Sequence, residues 1–171
     1  MKKTDLRDLQ IKTAFACMVS DGHIGKTEIE TIESLFSNIE AFKEVNIKTR
    51  MIELTNEINE QGKLFLKSLL REIEAAGLDE QQELSIIEIT GRLILADEHI
   101  HYQEIKFFKL VRSALNVSNG TILASLPHME QYLEQDIITG SSTNKLLTDY
   151  FDVLTIPKFE IGIVPFLVDF G

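Results

Sequence analysis

Two short acidic stretches of this chain repeat one another. Asp21-Gly22-His23-Ile24-Gly25-Lys26-Thr27-Glu28-Ile29 falls onto Asp97-Glu98-His99-Ile100-His101-Tyr102-Gln103-Glu104-Ile105 when the chain is shifted by 76 residues, and five of the nine positions are identical. The carboxylates collected in this way, Asp21, Glu28, Asp97, Glu98 and Glu104, are the oxygen donors that a hard cation such as calcium, magnesium or manganese takes. His23, His99 and His101 would shift the preference toward a transition metal. No H-E-x-x-H or similar helical spacing fixes them, however, and they read as exposed loop residues.

The run D-G-x-I-x-x-x-E reproduces the second half of an EF-hand calcium loop, but the first half is missing. The loop's first and third ligand positions fall on Cys17 and Val19 in one copy and on Leu93 and Leu95 in the other, none of which offers a carboxylate. An EF-hand is therefore excluded. What remains is an acidic loop joining two helices, with Asp at the end of the incoming helix and Glu in the first turn of the outgoing one. An acid at a helix C-terminus faces the negative end of the macrodipole, which is unfavourable unless it caps the next turn or meets a cation.

Two arrangements satisfy that constraint. In the first, Asp21 and Asp97 accept N–H groups of their own loops as Asx turns do, and Glu28 and Glu104 reach back to the helix starts. In the second, the five carboxylates converge on a cation. Thr27 and Glu30 spell a separate capping box for the second helix, which leaves Glu28 free for the second arrangement.

The elements that must carry these loops are helical. Ile11, Phe15 and Met18 form one stripe, Ile29, Ile32, Phe36 and Ile39 a second, Ile47, Met51, Leu54 and Ile58 a third, and Leu66, Leu69, Leu70 and Ile73 a fourth. Gly77 sits where a helix C′ residue belongs, and Asp79 with Gln82 resembles an N-cap and its reciprocal partner, so a fifth helix is predicted from there to about Ala96. Its apolar residues, Leu84, Ile86, Ile87, Ile89, Leu93, Ile94 and Leu95, cover more than one face, which predicts a central position. A sixth helix carries Ile105, Phe108, Val111 and Leu115. Two shorter ones follow, around Ile122 to Leu126 and Met129 to Ile137, with Pro127 suited to a first helical position. The stripes flanking the two acidic loops match in phase, Ile32 with Phe108 and Leu35 with Val111, so a duplicated helix-loop-helix unit and internal pseudo-twofold symmetry are expected.

The end of the chain differs in kind. Thr139 to Asn144 is a small, polar linker, and Lys145 to Leu154 can form one more helix. Beyond it Pro157 and Pro165 oppose helix, while Phe159, Ile161 and Ile163 alternate as an extended strand would. Residues 1–138 are thus expected to form a helical domain and 139–171 a linker, a short helix and an extended apolar tail. The tail is expected to fold back onto its own domain; docking of residues 155–171 on a protein partner, for example at a sheet edge, is the alternative.

Composition narrows the function classes. At 171 residues and 44% hydrophobic the chain can bury a core of its own. Seventeen basic against 27 acidic side chains give a net charge of −10, which repels phosphate backbones and anionic headgroups, so no nucleic-acid and no membrane-surface partner is expected. No run approaches the roughly 20 apolar residues that span a bilayer. Acids and bases interrupt the N-terminal apolar stretch, which does not read as a signal segment, and a cytoplasmic location follows as the expectation. The single cysteine, Cys17, reads as a small buried apolar residue. There is no G-x-G-x-x-G, Walker loop, G-x-S-x-G or C-x-x-C. Lys106, Lys109 and Arg112 beside Phe107 and Phe108 read as the two faces of one amphipathic helix, or as a dock for the chain's own acids.

Ala16 to Ile32, A-C-M-V-S-D-G-H-I-G-K-T-E-I-E-T-I, with its second copy Leu95 to Ile105, L-A-D-E-H-I-H-Y-Q-E-I, resembles the TerB-like family of tellurite-resistance proteins. The resemblance covers about residues 1–138 and departs from the family at Gly25 and His101, where Ser or Thr is usual, and at Glu98, which stands opposite Gly22. It implies an all-α bundle of two pseudo-symmetric multi-helix halves with acidic interhelical loops proposed to bind a metal ion. The function it implies is that of a non-enzymatic cytoplasmic module in a stress-response or tellurite-resistance-like system, with the acidic loops as a divalent cation site. A protein-interaction adaptor without a metal, and a metal-dependent hydrolase whose carboxylates activate a bound water, are the alternatives.

Overall fold

The computed structural model describes residues 5–20, 26–96, 102–130 and 156. Among them the fold is all-α, with α1 Leu6–Val19, α2 Lys26–Ser37, α3 Ile47–Gln61, α4 Lys63–Ala75, α5 Glu80–Ala96, α6 Tyr102–Ser113 and α7 Asn119–Ser125, and no strand. Short 3₁₀ turns cover Glu40–Phe42 and Pro127–Met129. The linker, the last helix and the extended tail expected after residue 138 lie outside the described residues, Ile156 excepted. No described helix is long and apolar enough to cross a membrane.

Local chemistry sets the boundaries. Asp5 caps α1 by accepting the Arg7 N–H at 3.0 Å, and Asn46 caps α3 by accepting that of Thr49 at 3.0 Å. Gly62, at φ 58°, is the single residue between α3 and α4, a conformation that a side chain would strain. Gly77, at φ 61°, follows α4, and the expected capping box opens α5: Gln82 N–H donates to Asp79 Oδ1 at 2.8 Å while Gln82 Oε1 accepts from Asp79 N–H at 3.0 Å. The Thr27 side chain of the box expected with Glu30 lies outside the described residues. α2 already begins at Lys26, so Thr27 stands inside its first turn.

The core lies around a pair of helices rather than one. α1 packs most extensively on α5 and also meets α3, α4 and α6, while α5 meets α2 and α6 as well. Every residue of α1 from Leu9 to Val19 except Lys12 is buried. Gln10 and Thr13 belong to that buried surface because each is satisfied, Gln10 Nε2 donating to Ser85 Oγ at 2.9 Å and Thr13 Oγ1 to the Leu9 carbonyl at 2.7 Å. Phe15 of α1 meets Phe65 of α4 edge to face, with ring centroids 5.8 Å apart. The third and fourth apolar stripes are buried throughout. In α5, by contrast, Leu84 is half-buried and Leu95 exposed, so that helix has an outer face.

After α6 the chain turns back across α5. Pro127 opens the 3₁₀ turn, where its missing N–H costs no hydrogen bond, and Met129 is fully buried. Its thioether lies over Gly91 in the middle of α5, so close that a Cβ there would stand 3.1 Å from the sulfur. Ile156 is half-buried against the core, which returns the chain to the helical domain at that residue.

Candidate functional site

The two acidic stretches each fall between consecutive helices. α1 ends at Val19, with Ser20 Oγ donating to the Cys17 carbonyl at 2.6 Å, and α2 resumes at Lys26; α5 ends at Ala96 and α6 resumes at Tyr102. Glu28 and Glu104 are each the third residue of the helix that follows. An acid there is favoured by the partial positive charge of the helix N-terminus, whether or not it also binds something. Asp21, Asp97 and Glu98 lie outside the described residues, as do His23, His99 and His101 and the side chains of Glu28 and Glu104. Among the described residues no group of three or more His, Cys, Asp or Glu side chains is placed to hold a metal ion. Cys17 is buried in α1, as its reading as a small apolar residue expects.

Two charged clusters that sequence spacing does not reveal lie elsewhere. In the first, Arg50 of α3 grips Asp8 of α1 with two parallel bonds, Nε to Oδ1 at 2.7 Å and Nη2 to Oδ2 at 3.1 Å. Arg50 also meets Glu53 at 3.3 Å and lies 3.9 Å from Glu57, while Lys12 reaches Glu72 of α4 at 3.2 Å and Asp8 at 3.8 Å. Burial opposes the charge on Arg50, yet the Asp8 hydrogen bond and the charges of Asp8, Glu57 and Glu53 hold its guanidinium above the ordinary value. Arg50 and Lys12 thus clasp α1, α3 and α4 together, while Glu57 Oε2 is buried without a hydrogen-bond partner among the described residues. Asp8 and Arg50 are 42 residues apart, a separation that no helical period flags.

The second cluster joins α5 to the connection after α6. Glu83 is 4% exposed, and both of its carboxylate oxygens accept the Asn116 N–H, at 2.7 and 2.9 Å. Arg112 donates to Asn119 Oδ1 from Nε at 3.0 Å and from Nη2 at 2.8 Å. Burial pulls the Arg112 guanidinium below its ordinary value, and the Glu83 charge works against that pull. Of the Lys106–Arg112 stripe, Phe107 and Phe108 are fully buried, and the Arg112 guanidinium is committed to Asn119 and to the Leu115 carbonyl while the Glu83 charge acts on it.

Both clusters join helices of the fold. The repeated acidic loops remain the candidate site. Their carboxylate oxygens from Asp and Glu suit a hard divalent cation, and His23, His99 and His101 beside them would shift the preference toward a transition metal. No family model, curated protein or solved structure matches the chain.

Proposed function

We propose that the chain is a non-enzymatic helical module of two related halves that binds a divalent cation such as calcium, magnesium or manganese through Asp21, Glu28, Asp97, Glu98 and Glu104. In this reading it resembles TerB-like proteins and serves a cytoplasmic stress-response or tellurite-resistance-like system. The observation that carries it is positional. Glu28 and Glu104, 76 residues apart, hold the same place in two helices that each follow an acidic loop, and the helices leading into those loops, α1 and α5, pack on one another.

Further contacts support the two-half reading. The Gln10–Ser85 hydrogen bond joins positions 75 residues apart, one short of the repeat offset, as near-equivalent positions do when two halves face each other across a twofold. The pairing is also reciprocal: α2 meets α5 and α6 meets α1. Ile156 against the core favours a tail that packs on its own domain over one that serves as a ligand for a partner.

Melting of the intact chain against added cation tests the site. Repulsion among unshared carboxylates lowers the stability of the cation-free form. A cation at 100 times its Kd adds about 2.7 kcal/mol. At roughly 2–4 °C per kcal/mol for a chain of this size, Tm rises by about 5–10 °C. Asp21→Asn combined with Asp97→Asn abolishes the rise. Identical melting with and without millimolar calcium, magnesium and manganese would remove the cation site and leave the helical module alone.

A further inference from the structure

The segment after α6 is attached to the rest of the fold in an unusual way. Its near end is tied by polar contacts, Glu83 accepting the Asn116 N–H and Arg112 donating to Asn119. At the far end of its described residues stands an apolar plug, the Met129 thioether over Gly91. Between them lies α7, seven residues with Ser118 as its cap and Ile122 as its one fully buried side chain. A helix of that length does not persist in water without tertiary support. Glu83 and Gly91 are both on α5, eight residues and hence about 12 Å apart, so the segment straps across two turns of a single helix.

The two ends differ in how they let go. The polar end is anchored to a buried carboxylate, whose release would strand a charge in the core. The plug itself is a flexible thioether in a glycine notch, a contact made without a hydrogen bond and with no side chain on Gly91 to interlock with it. From this asymmetry we infer that residues 119–130 form a strap that opens as a unit about the 115–118 connection, Met129 withdrawing from α5 while α1 to α6 stay folded. Opening melts α7 and bares the Gly91 face of α5, giving the fold a second, locally unfolded state.

Amide hydrogen exchange of the intact chain, read by peptide mass spectrometry, tests the strap. The N–H groups of Ile122, Leu126 and Met129, bonded to the carbonyls of Ser118, Ile122 and Leu126, exchange through strap opening. Those of α1 and α5 exchange through global unfolding. In the wild type the strap is expected to exchange at least tenfold faster than α1. Ile58→Val, a conservative change at a fully buried residue of α3 outside the strap and its attachments, accelerates α1 and α5 about 2–10-fold and leaves the strap unchanged. Met129→Ala accelerates the strap at least tenfold. Equal acceleration of strap and core by Ile58→Val overturns the inference, because the segment then opens only when everything does. So does a strap that exchanges as slowly as α1 in the wild type, or one whose exchange Met129→Ala leaves unaltered.

Discussion

Gly91→Ala is the change for which two physical terms of known size oppose each other. Gly91 lies well inside α5 and is absent from the positive-φ glycines, so its backbone is one that alanine adopts. Helix propensity alone favours Ala there by about 1 kcal/mol. The added Cβ, however, meets Met129 Sδ at 3.1 Å, Cε at 3.2 Å and Cγ at 3.7 Å. Favourable carbon contacts begin near 3.5 Å, so the thioether must retreat by several tenths of an ångström out of a fully buried position. Overpacking of this kind costs about 1–3 kcal/mol, toward the low end because Met is adaptable. The net expectation is a loss of about 0–2 kcal/mol. In a Met129→Ala background, itself about 2–5 kcal/mol less stable, the notch is empty and only the propensity gain is left. There the same substitution stabilises by about 1 kcal/mol. Urea melts of the four proteins, followed by far-ultraviolet circular dichroism, close the double-mutant cycle with a coupling of about 1–3 kcal/mol. If Gly91→Ala stabilises equally in both backgrounds, with coupling under about 0.5 kcal/mol, Met129 does not occupy the notch and the reasoning fails.

Three further perturbations address the contacts that hold the helices. Asp8→Asn and Arg50→Gln, combined in a cycle, are expected to show a coupling of about 1 kcal/mol that shrinks in molar salt, as a partly exposed bidentate pair should; a salt-independent coupling would contradict an ionic origin. Glu83→Leu leaves the Asn116 N–H without its acceptor and should cost about 1.5–3 kcal/mol in a urea melt, with Glu83→Gln recovering part of the loss; equal losses for the two variants would argue against the hydrogen bond. Ile156→Asp sets a charge against the core and should lower Tm by several degrees, whereas an unchanged Tm would mean that Ile156 contributes nothing to the packed domain.

What the sequence makes legible follows from which forces act over short spans. The stripes Ile47-Met51-Leu54-Ile58 and Leu66-Leu69-Leu70-Ile73 each face one side of a helix, and all eight residues are buried. The Asp79–Gln82 box and Gly77 act within one turn, so their letters suffice. α1 is harder to read because it is surrounded. Gln10 and Thr13 sit among its buried residues and break the apolar pattern, their cost being removed by Ser85, 75 residues away, and by a carbonyl of the same helix. A polar letter in a buried helix is indistinguishable from one on a wet face until its partner is known. The prediction that α5 would be central captured half of a central pair for that reason.

The same logic separates the two kinds of acid in this chain. Glu83, by its letter an ordinary first-turn carboxylate of α5, is in fact buried and committed to Asn116, a loop N–H whose approach depends on how α6 packs. Asp8 is committed to Arg50 through the crossing of α1 and α3. No local pattern encodes either commitment, because each is made by the tertiary fold. Glu28 and Glu104 differ in that their correspondence is carried by the sequence itself, as a 76-residue offset, and the helices place both at the third position of an outgoing helix. Helix capping alone would explain one such glutamate, and it would explain two equally well. It does not require that the helices entering the two loops pack on one another as α1 and α5 do. A shared ligand would tie the two loops to that packing, and so the cation titration, rather than any further refinement of helix boundaries, is where the functional reading gains or loses its footing.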